Sequence, residues 1–428
     1  MRDSTGFAPD FLARLVVPDT TGCAWFAVKW HHGRVSTGRD RPDACPGALR
    51  PHQAADGALV RVRLPGGRAT SAQVAALGRA AEGFGSGGLE LTSRANVQLR
   101  GVDPARVGGL AAALAAAGLL PSATHERVRN IMASPLSGLD GRGLADVRPL
   151  VGALDAALCA RPALAALPGR FLFALDDGRG DLPPRADVAA RAVGPDRFTV
   201  RLAGVETGLR VAASGVVAVL LAAAESFLLV RADMGSSAWR LTELPEAVPA
   251  VIAALEAGGF EGEPPQGASR TGWQESAARL GLVADGVVVA GAPLGRLSAE
   301  QVGLLTEWDG IVVTPWRSVV VTGGPETVAR LAAHGFVTAG RDALAGVTAC
   351  TGRPGCAKAL ADVRADAVAV MVPGEGRVHW SGCERRCGRP EGQVVDVVAT
   401  GGGYRVGEGR VLSSLVAAAS AVRAARRD

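Results

Sequence analysis

Four of the seven cysteines in this 428-residue chain form two short pairs. Cys350 and Cys356 bracket the sequence TGRPG, Cys383 and Cys387 bracket ERR, and 26 residues separate the pairs. Thiolates at such spacing bind zinc or an iron–sulfur cluster. Structural zinc joins cysteines two to four residues apart in compact knuckles, and the first gap is wide for that use. The proline and two glycines of the first loop suit close approach to a bulky group, and the arginines of the second can offset charge. The spacing favours a 4Fe–4S cluster, with zinc or four unliganded cysteines as the alternatives. Cys23, Cys45 and Cys159 have no partner at ligand spacing and read as small apolar residues.

Elements that could position these thiols are written twice. GRATSAQV (Gly67 to Val74) is echoed by GRLSAEQV (Gly295 to Val302), and LELTSRANVQLRGV (Leu89 to Val102) by IVVTPWRSVVVTG (Ile311 to Gly323), read with one residue inserted before the arginine. VRNIMASPLSG followed by LADVR (Leu144 to Arg148) matches VTACTGRPGCAK followed by LADVR (Leu360 to Arg364). Four ordered echoes imply duplication. The unit mixes a strand-like alternation in ALVRVRLP, a helical period in SAQVAALGRAAEGFG and a second alternation from Leu89. Taken as one regular strand, that last segment points Arg94, Asn96, Gln98 and Arg100 to one face. Such a row is either the wet face of a sheet or a site for a polyanion.

Composition narrows the class. A hydrophobic content of 48% fits a globular chain, and the length suggests two to four compact units. The longest apolar run, Val216 to Ala224, falls short of the roughly 18 residues of a membrane span and reads as a buried helix. MRDSTGFAPDF has no basic start leading into an apolar core, so no secretory signal is expected. Sparse cysteines fit a reducing cytoplasm. The basic residues are almost all arginine, with lysine only at 29 and 358, and no basic run is interleaved with aromatics as a nucleic-acid surface would be.

The Cys-x5-Cys and Cys-x3-Cys pattern, LTSRANVQLRG and RVRNIMASPLSG together resemble the sulfite and nitrite reductase superfamily. ACPGALRPHQAADGALVRVRLPGG, LPGRFLFALDDGRGDL, CTGRPGCAKALADVRAD and SGCERRCGRP are most similar to its precorrin-3B synthase branch. The resemblance runs from about Asp43 to Gly407. It implies an α+β fold with pseudo-two-fold duplication, in which two ferredoxin-like modules alternate with two larger mixed α/β modules. The expected divisions are a divergent tail (1–40), a first ferredoxin-like module (41–120), a first reductase-like module (121–280), a second ferredoxin-like module (281–344), and a shortened reductase-like module (345–428) carrying the cluster.

The implied activity is oxygen-dependent monooxygenation in aerobic cobalamin biosynthesis, converting precorrin-3A to precorrin-3B with lactone formation. Its partners would be precorrin-3A, dioxygen and an external electron donor, with no nucleic acid and no membrane, in the cytoplasm. A 4Fe–4S cluster on Cys350, Cys356, Cys383 and Cys387 is expected. The family is also associated with a mononuclear non-haem iron, for which His52 and His125 are better candidates than His31, His32, His334 and His379, although no spacing is diagnostic. Sirohaem is not expected. Reductases of the superfamily carry two basic residues just after a Leu-Pro; here Arg170 fills the first place and Leu172 the second, which speaks against sulfite chemistry. The implied substrate-binding residues are Arg94, Asn96, Gln98, Arg100, Arg129, Asn130 and Arg170, with Arg317 at the pseudo-symmetric place of Arg94; no catalytic residue is assigned. Two other readings stay open: a sirohaem sulfite or nitrite reductase, and a non-catalytic iron–sulfur carrier or tetrapyrrole-binding protein.

Overall fold

Thr70 and Ser298 each start a helix in the same way. Each hydroxyl accepts from a backbone N–H three residues on, and the side chain of that residue, Gln73 or Gln301, accepts from the cap's own N–H. Such reciprocal caps satisfy donors that a helix start otherwise leaves open. The computed structural model describes residues 43–182, 185–260 and 279–426. The expected tail, Cys23, His31 and His32 lie outside the described residues.

Among the described residues, four five-stranded sheets come as two pairs with identical topology. The first unit contains β1 (His52–Ala54), β2 (Gly57–Val62), β3 (Arg68–Thr70), α1 (Ser71–Phe84), β4 (Leu89–Leu91), β5 (Val97–Val102) and α2 (Val107–Ala116). Next come β6 (Ile131–Ala133), α3 (Arg148–Cys159), β7 (Phe173–Asp176), β8 (Val188–Gly194), β9 (Arg197–Leu202), β10 (Val205–Ala212), α4 (Ala213–Asp233) and α5 (Val248–Ala257). The pattern then repeats as β11 (Gly281–Ala284), β12 (Val287–Gly291), β13 (Arg296–Leu297), α6 (Ala299–Leu305), β14 (Gly310–Val313), β15 (Ser318–Thr322) and α7 (Pro325–Ala333). Last are β16 (Val347–Ala349), α8 (Val363–Val370), β17 (Val378–Ser381), β18 (Val395–Thr400), β19 (Gly403–Val406), β20 (Val411–Leu412) and α9 (Leu415–Ala425).

Sheet one runs β1-β2-β5-β4-β13 and sheet three β11-β12-β15-β14-β3. Each small sheet thus takes one short strand from the other: β3 pairs with β14, and β13 with β4. This exchange gives the two sheets one common apolar core, in which Val74, Leu77 and Leu99 meet Val302, Leu305 and Val319. Sheets two and four each begin with three parallel strands (β6-β7-β8 and β16-β17-β18) and finish antiparallel. A parallel pair requires a crossover, and α3 and α8 supply it.

Helix α4 is the core helix expected from the run Val216 to Ala224, but it is longer than that run. Its 21 residues are long and apolar enough to cross a membrane on composition alone. Val216, Leu220, Ala223 and Phe227 instead pack into the core behind sheet two with Phe171, Phe173 and Phe198. The short run seen in the sequence supplies most of the buried positions of this longer helix, with Ala218 on its exposed side.

Candidate functional site

The segment Leu89–Val102 is a hairpin, not the single strand expected. β4 and β5 pair antiparallel, Glu90 opposite Gln98, around a turn over Thr92–Asn96. Thr92 Oγ1 accepts from the N–H groups of Arg94 and Asn96, and Ala95 takes φ 56°. The second copy is built alike: Thr314 Oγ1 accepts from Trp316 and Ser318, and Arg317 takes φ 59°. The copies therefore align without an insertion. Arg317 is the counterpart of Ala95, and the counterpart of Arg94 is Trp316. The missed signal was the paired Thr-x-x-x-polar turn, which fixes the register.

Of the expected polar row, Gln98 and Arg100 do share a face of β5, whereas Arg94 and Asn96 belong to the turn. Asn96 Oδ1 accepts from Leu64 N–H at 2.8 Å, a wall-building role. Gln98 accepts from Arg61 Nε at 2.9 Å and donates to Glu90 at 3.3 Å. Arg100 is ion-paired with Asp56 at 2.8 Å.

Arginines from segments attached to three sheets gather around Arg94. Burial, then Arg240 and Arg185, push its guanidinium down to about 9, and its Nη1 is buried without a partner among the described residues. Arg185 donates to the Ser93 carbonyl at 2.5 Å and pairs with Glu391 at 2.8 Å, leaving its Nε buried and without a partner among the described residues. Arg240 is held by Asp187 at 2.6 Å. Arg170 lies over the Trp239 ring at 4.8 Å with Asp43 3.7 Å away. Arg61 and Arg63 donate to Cys45 Sγ at 3.6 and 3.3 Å. Cys45 is buried as expected, but its sulfur is an acceptor for two cations and not merely an apolar filler. Arg317 donates to the Gly388 carbonyl at 2.5 Å, and burial, then Arg185, lower its guanidinium. Buried cations close enough to depress one another are costly unless anions answer them.

The two cysteine loops lie beside this group. Cys350 follows β16, Cys383 and Cys387 follow β17, and none of the four is in a disulfide. Burial raises the Cys350 thiol, and neighbouring Cys387 and Cys356 act in the same direction. Gly382 N–H donates to Cys350 Sγ at 3.1 Å. A side chain at Gly382 would strike Ala359 at 2.7 Å, and one at Gly355 would strike Asp56 at 2.8 Å, so both loops need bare backbone here. Among the described residues only Asp176, Asp177 and Asp181 bring three ligand atoms within 4.8 Å of one another. No three of the four cysteine sulfurs lie within 4.8 Å of one another. Four thiols on bare loops are a donor set that could hold an iron–sulfur cluster.

Other expected residues are committed elsewhere. Arg129 is clamped by Asp155 through two bonds of 2.7 and 2.6 Å. Asn130 ties Gly169 and Arg127 carbonyls at 2.7 and 3.1 Å. Leu172 is buried with Met132, Ala174, Leu182 and Ala186. Among the described residues the histidines form no ligand set: His125 spends one ring nitrogen on Ser122 and Thr124 and the other on the Arg161 carbonyl, while His52 is exposed on β1. Cys159 is half-buried at the end of α3, its thiol raised by burial.

Aligning β6-β7 with β16-β17 by their register sets Ser134, Asp140, Gly178 and Leu182 where the second half has its four cysteines. There the Arg179 guanidinium lies among Asp140, Asp177 and Asp181 at 2.9, 2.7 and 3.8 Å. One half holds its loops with an internal cation; the other presents thiols.

Residues 50–117 match the nitrite/sulfite reductase ferredoxin-like half domain. A precorrin-3B synthase from Sinorhizobium sp is 30% identical over 386 residues, covering 85% of this chain and 82% of that protein. A ferredoxin–nitrite reductase from Synechococcus elongatus is 28% identical over 408 residues, covering 81% and 77%. The NirA protein of Mycobacterium tuberculosis has a similar fold, with a TM-score of 0.61 at 19% identity over 82% of this chain and 74% of that one. The duplicated topology, the half-domain match and a relative alike over most of both lengths place the chain in the nitrite/sulfite reductase superfamily of oxidoreductases, on its precorrin-3B synthase branch.

Proposed function

We propose that this enzyme is a cytoplasmic monooxygenase of aerobic cobalamin biosynthesis that converts precorrin-3A to precorrin-3B. One atom of dioxygen would enter a bridging carbon as hydroxyl while a ring acetate closes to a lactone. The second atom would leave as water, which takes two electrons from an external donor and two protons. Neither nucleic acid nor a membrane has a part in this reading.

The observation that carries it is the arginine group around Arg94. A macrocycle ringed with acetates and propionates needs several fixed cations, and guanidinium forks match carboxylates in two directions. Arg94, Arg170, Arg185 and Arg317 are the proposed contacts, and the open donors on Arg94 and Arg185 are what such anions would fill. Asn96, Gln98, Arg100, Arg129 and Asn130 are better read as the walls that hold those contacts in place. Leu172, turned into an apolar cluster, removes the second cation that a small oxyanion would require.

Cys350, Cys356, Cys383 and Cys387 would hold a 4Fe–4S cluster, which when bound supplies one-electron transfer. The chain's own part is to keep the loops bare, to supply the Gly382 N–H to sulfur, and to surround the site with guanidinium charge. Among the described residues the histidines offer no ligand set for a mononuclear iron, and no step is assigned to one. In this proposal the modules span 41–120, 121–280, 281–344 and 345–428.

The test is anaerobic purification with iron and acid-labile sulfide analysis and a visible spectrum. A broad brown absorption with iron and sulfide supports the reading. Strong sirohaem bands with nitrite or sulfite turnover would replace it with the reductase reading, which the 28% identical nitrite reductase keeps in view.

A further inference from the structure

The first cysteine loop hangs from sheet one by two arginines. Arg100 grips Asp56 at 2.9 and 2.8 Å and donates to the Gly355 carbonyl at 2.8 Å. Arg364, in the first turn of α8, donates from Nε to the Cys350 carbonyl at 3.2 Å and from Nη2 to Glu90 at 2.5 Å. The other Glu90 oxygen accepts from Gln98 at 3.3 Å, and Gln98 accepts from Arg61 at 2.9 Å. Polar contacts therefore run unbroken from Cys350 to the arginine group.

The other half makes the same junction without charge. Leu136 and Leu139 stand where the cysteine loop has Gly352 and Gly355, and they pack on Val287, Val289, Val312 and Val320. Val312 and Val320 are the hairpin counterparts of Glu90 and Gln98. Arg148, the counterpart of Arg364 in the repeated LADVR, pairs with its neighbour Asp146 at the surface. Apolar packing thus suffices to join such a loop to such a sheet, and a buried ion pair is seldom more stabilising than well-packed apolar side chains. Glu90 and Arg364 answer a need other than folding.

We propose that Arg364, held by Glu90, is a positioning residue for the metal site that fixes the Cys350 loop and sets a positive charge beside the cluster. The proposal rests on the reading of the four cysteines as cluster ligands. A fixed cation favours the more negative, reduced form, so it raises the reduction potential.

Arg364→Gln, Arg364→Lys and Arg148→Gln would be purified anaerobically beside the parent, with iron, sulfide and midpoint potential measured on each. Arg148→Gln should match the parent, Arg364→Gln should shift the potential to more negative values, and Arg364→Lys should recover part of the shift. Loss of the cluster from both Arg364 variants but not from Arg148→Gln would also support the role. Full cluster content with an unmoved potential in Arg364→Gln overturns it, as does an equal change in Arg148→Gln. A parent without iron and sulfide would sink the cysteine assignment itself, a separate and distinguishable failure.

Discussion

Ala95 and Arg317 occupy the same position in two copies of one hairpin, each in the left-handed backbone region, at φ 56° and 59°. That conformation disfavours any residue with a Cβ. Arginine accepts it in the second copy, where its side chain reaches the Gly388 carbonyl of the second cysteine loop. The duplicated turn has been kept for its shape, while its occupants have diverged toward different tasks.

Arg317→Gly separates shape from task. Glycine relieves the backbone strain, so stability should change by no more than about 1 kcal/mol. Affinity for precorrin-3A should nonetheless fall roughly tenfold, since a charge-assisted pair is worth about 1.5–3 kcal/mol. Denaturation and binding titrations on one preparation check both, and unchanged affinity would remove Arg317 from the site.

Arg94→Ala and Arg129→Ala should behave differently. Arg94 has an open donor, so its loss should raise the half-saturating substrate concentration roughly tenfold with cluster content intact. Arg129→Ala strands Asp155 and should cost on the order of 3 kcal/mol of stability. If Arg129→Ala left stability untouched and weakened binding alone, Arg129 would return to the contact set.

Much of this was legible in the sequence. The four echoes predicted the paired sheets, and the cysteine spacing singled out the loops that meet beside Arg317. What could not be read was side-chain commitment. Arg94 and Arg129 look alike in sequence, yet a carboxylate on α3 claims Arg129 and none among the described residues claims Arg94. Glu90, Arg61, Arg185, Arg240 and Arg364 were missed because their partners are far along the chain. The exchange of β3 and β13 was hidden as well, because short strands of two or three residues carry no period of their own.

Leu172→Lys should fail as a route to sulfite reduction. The new ammonium would lie among Met132, Ala174 and Leu182, and an unpaired buried charge costs several kcal/mol. A lowered melting temperature without sulfite turnover is the expected result; turnover by this variant would show that Leu172 alone separates the two chemistries.

Asp181 gives the fold a pH dependence. Burial raises its carboxyl to about 7, so between the unfolded value near 4 and about 7 the folded chain holds the extra proton, and stability falls as pH rises through that window. Asp181→Asn mimics the protonated form and can still accept from Ser134. It should match the parent below about pH 4 and exceed it above pH 7 by on the order of a few kcal/mol. Urea denaturation at the two ends of the range reads the difference, and parallel profiles would contradict the assigned shift.

The most direct measurement is turnover of precorrin-3A under dioxygen labelled with heavy oxygen, with the cluster-loaded protein and a reducing donor. The expected product is a lactone carrying one labelled oxygen atom, formed only when donor and dioxygen are both present. An unlabelled product, or no turnover of the macrocycle together with reduction of nitrite or sulfite, would contradict it.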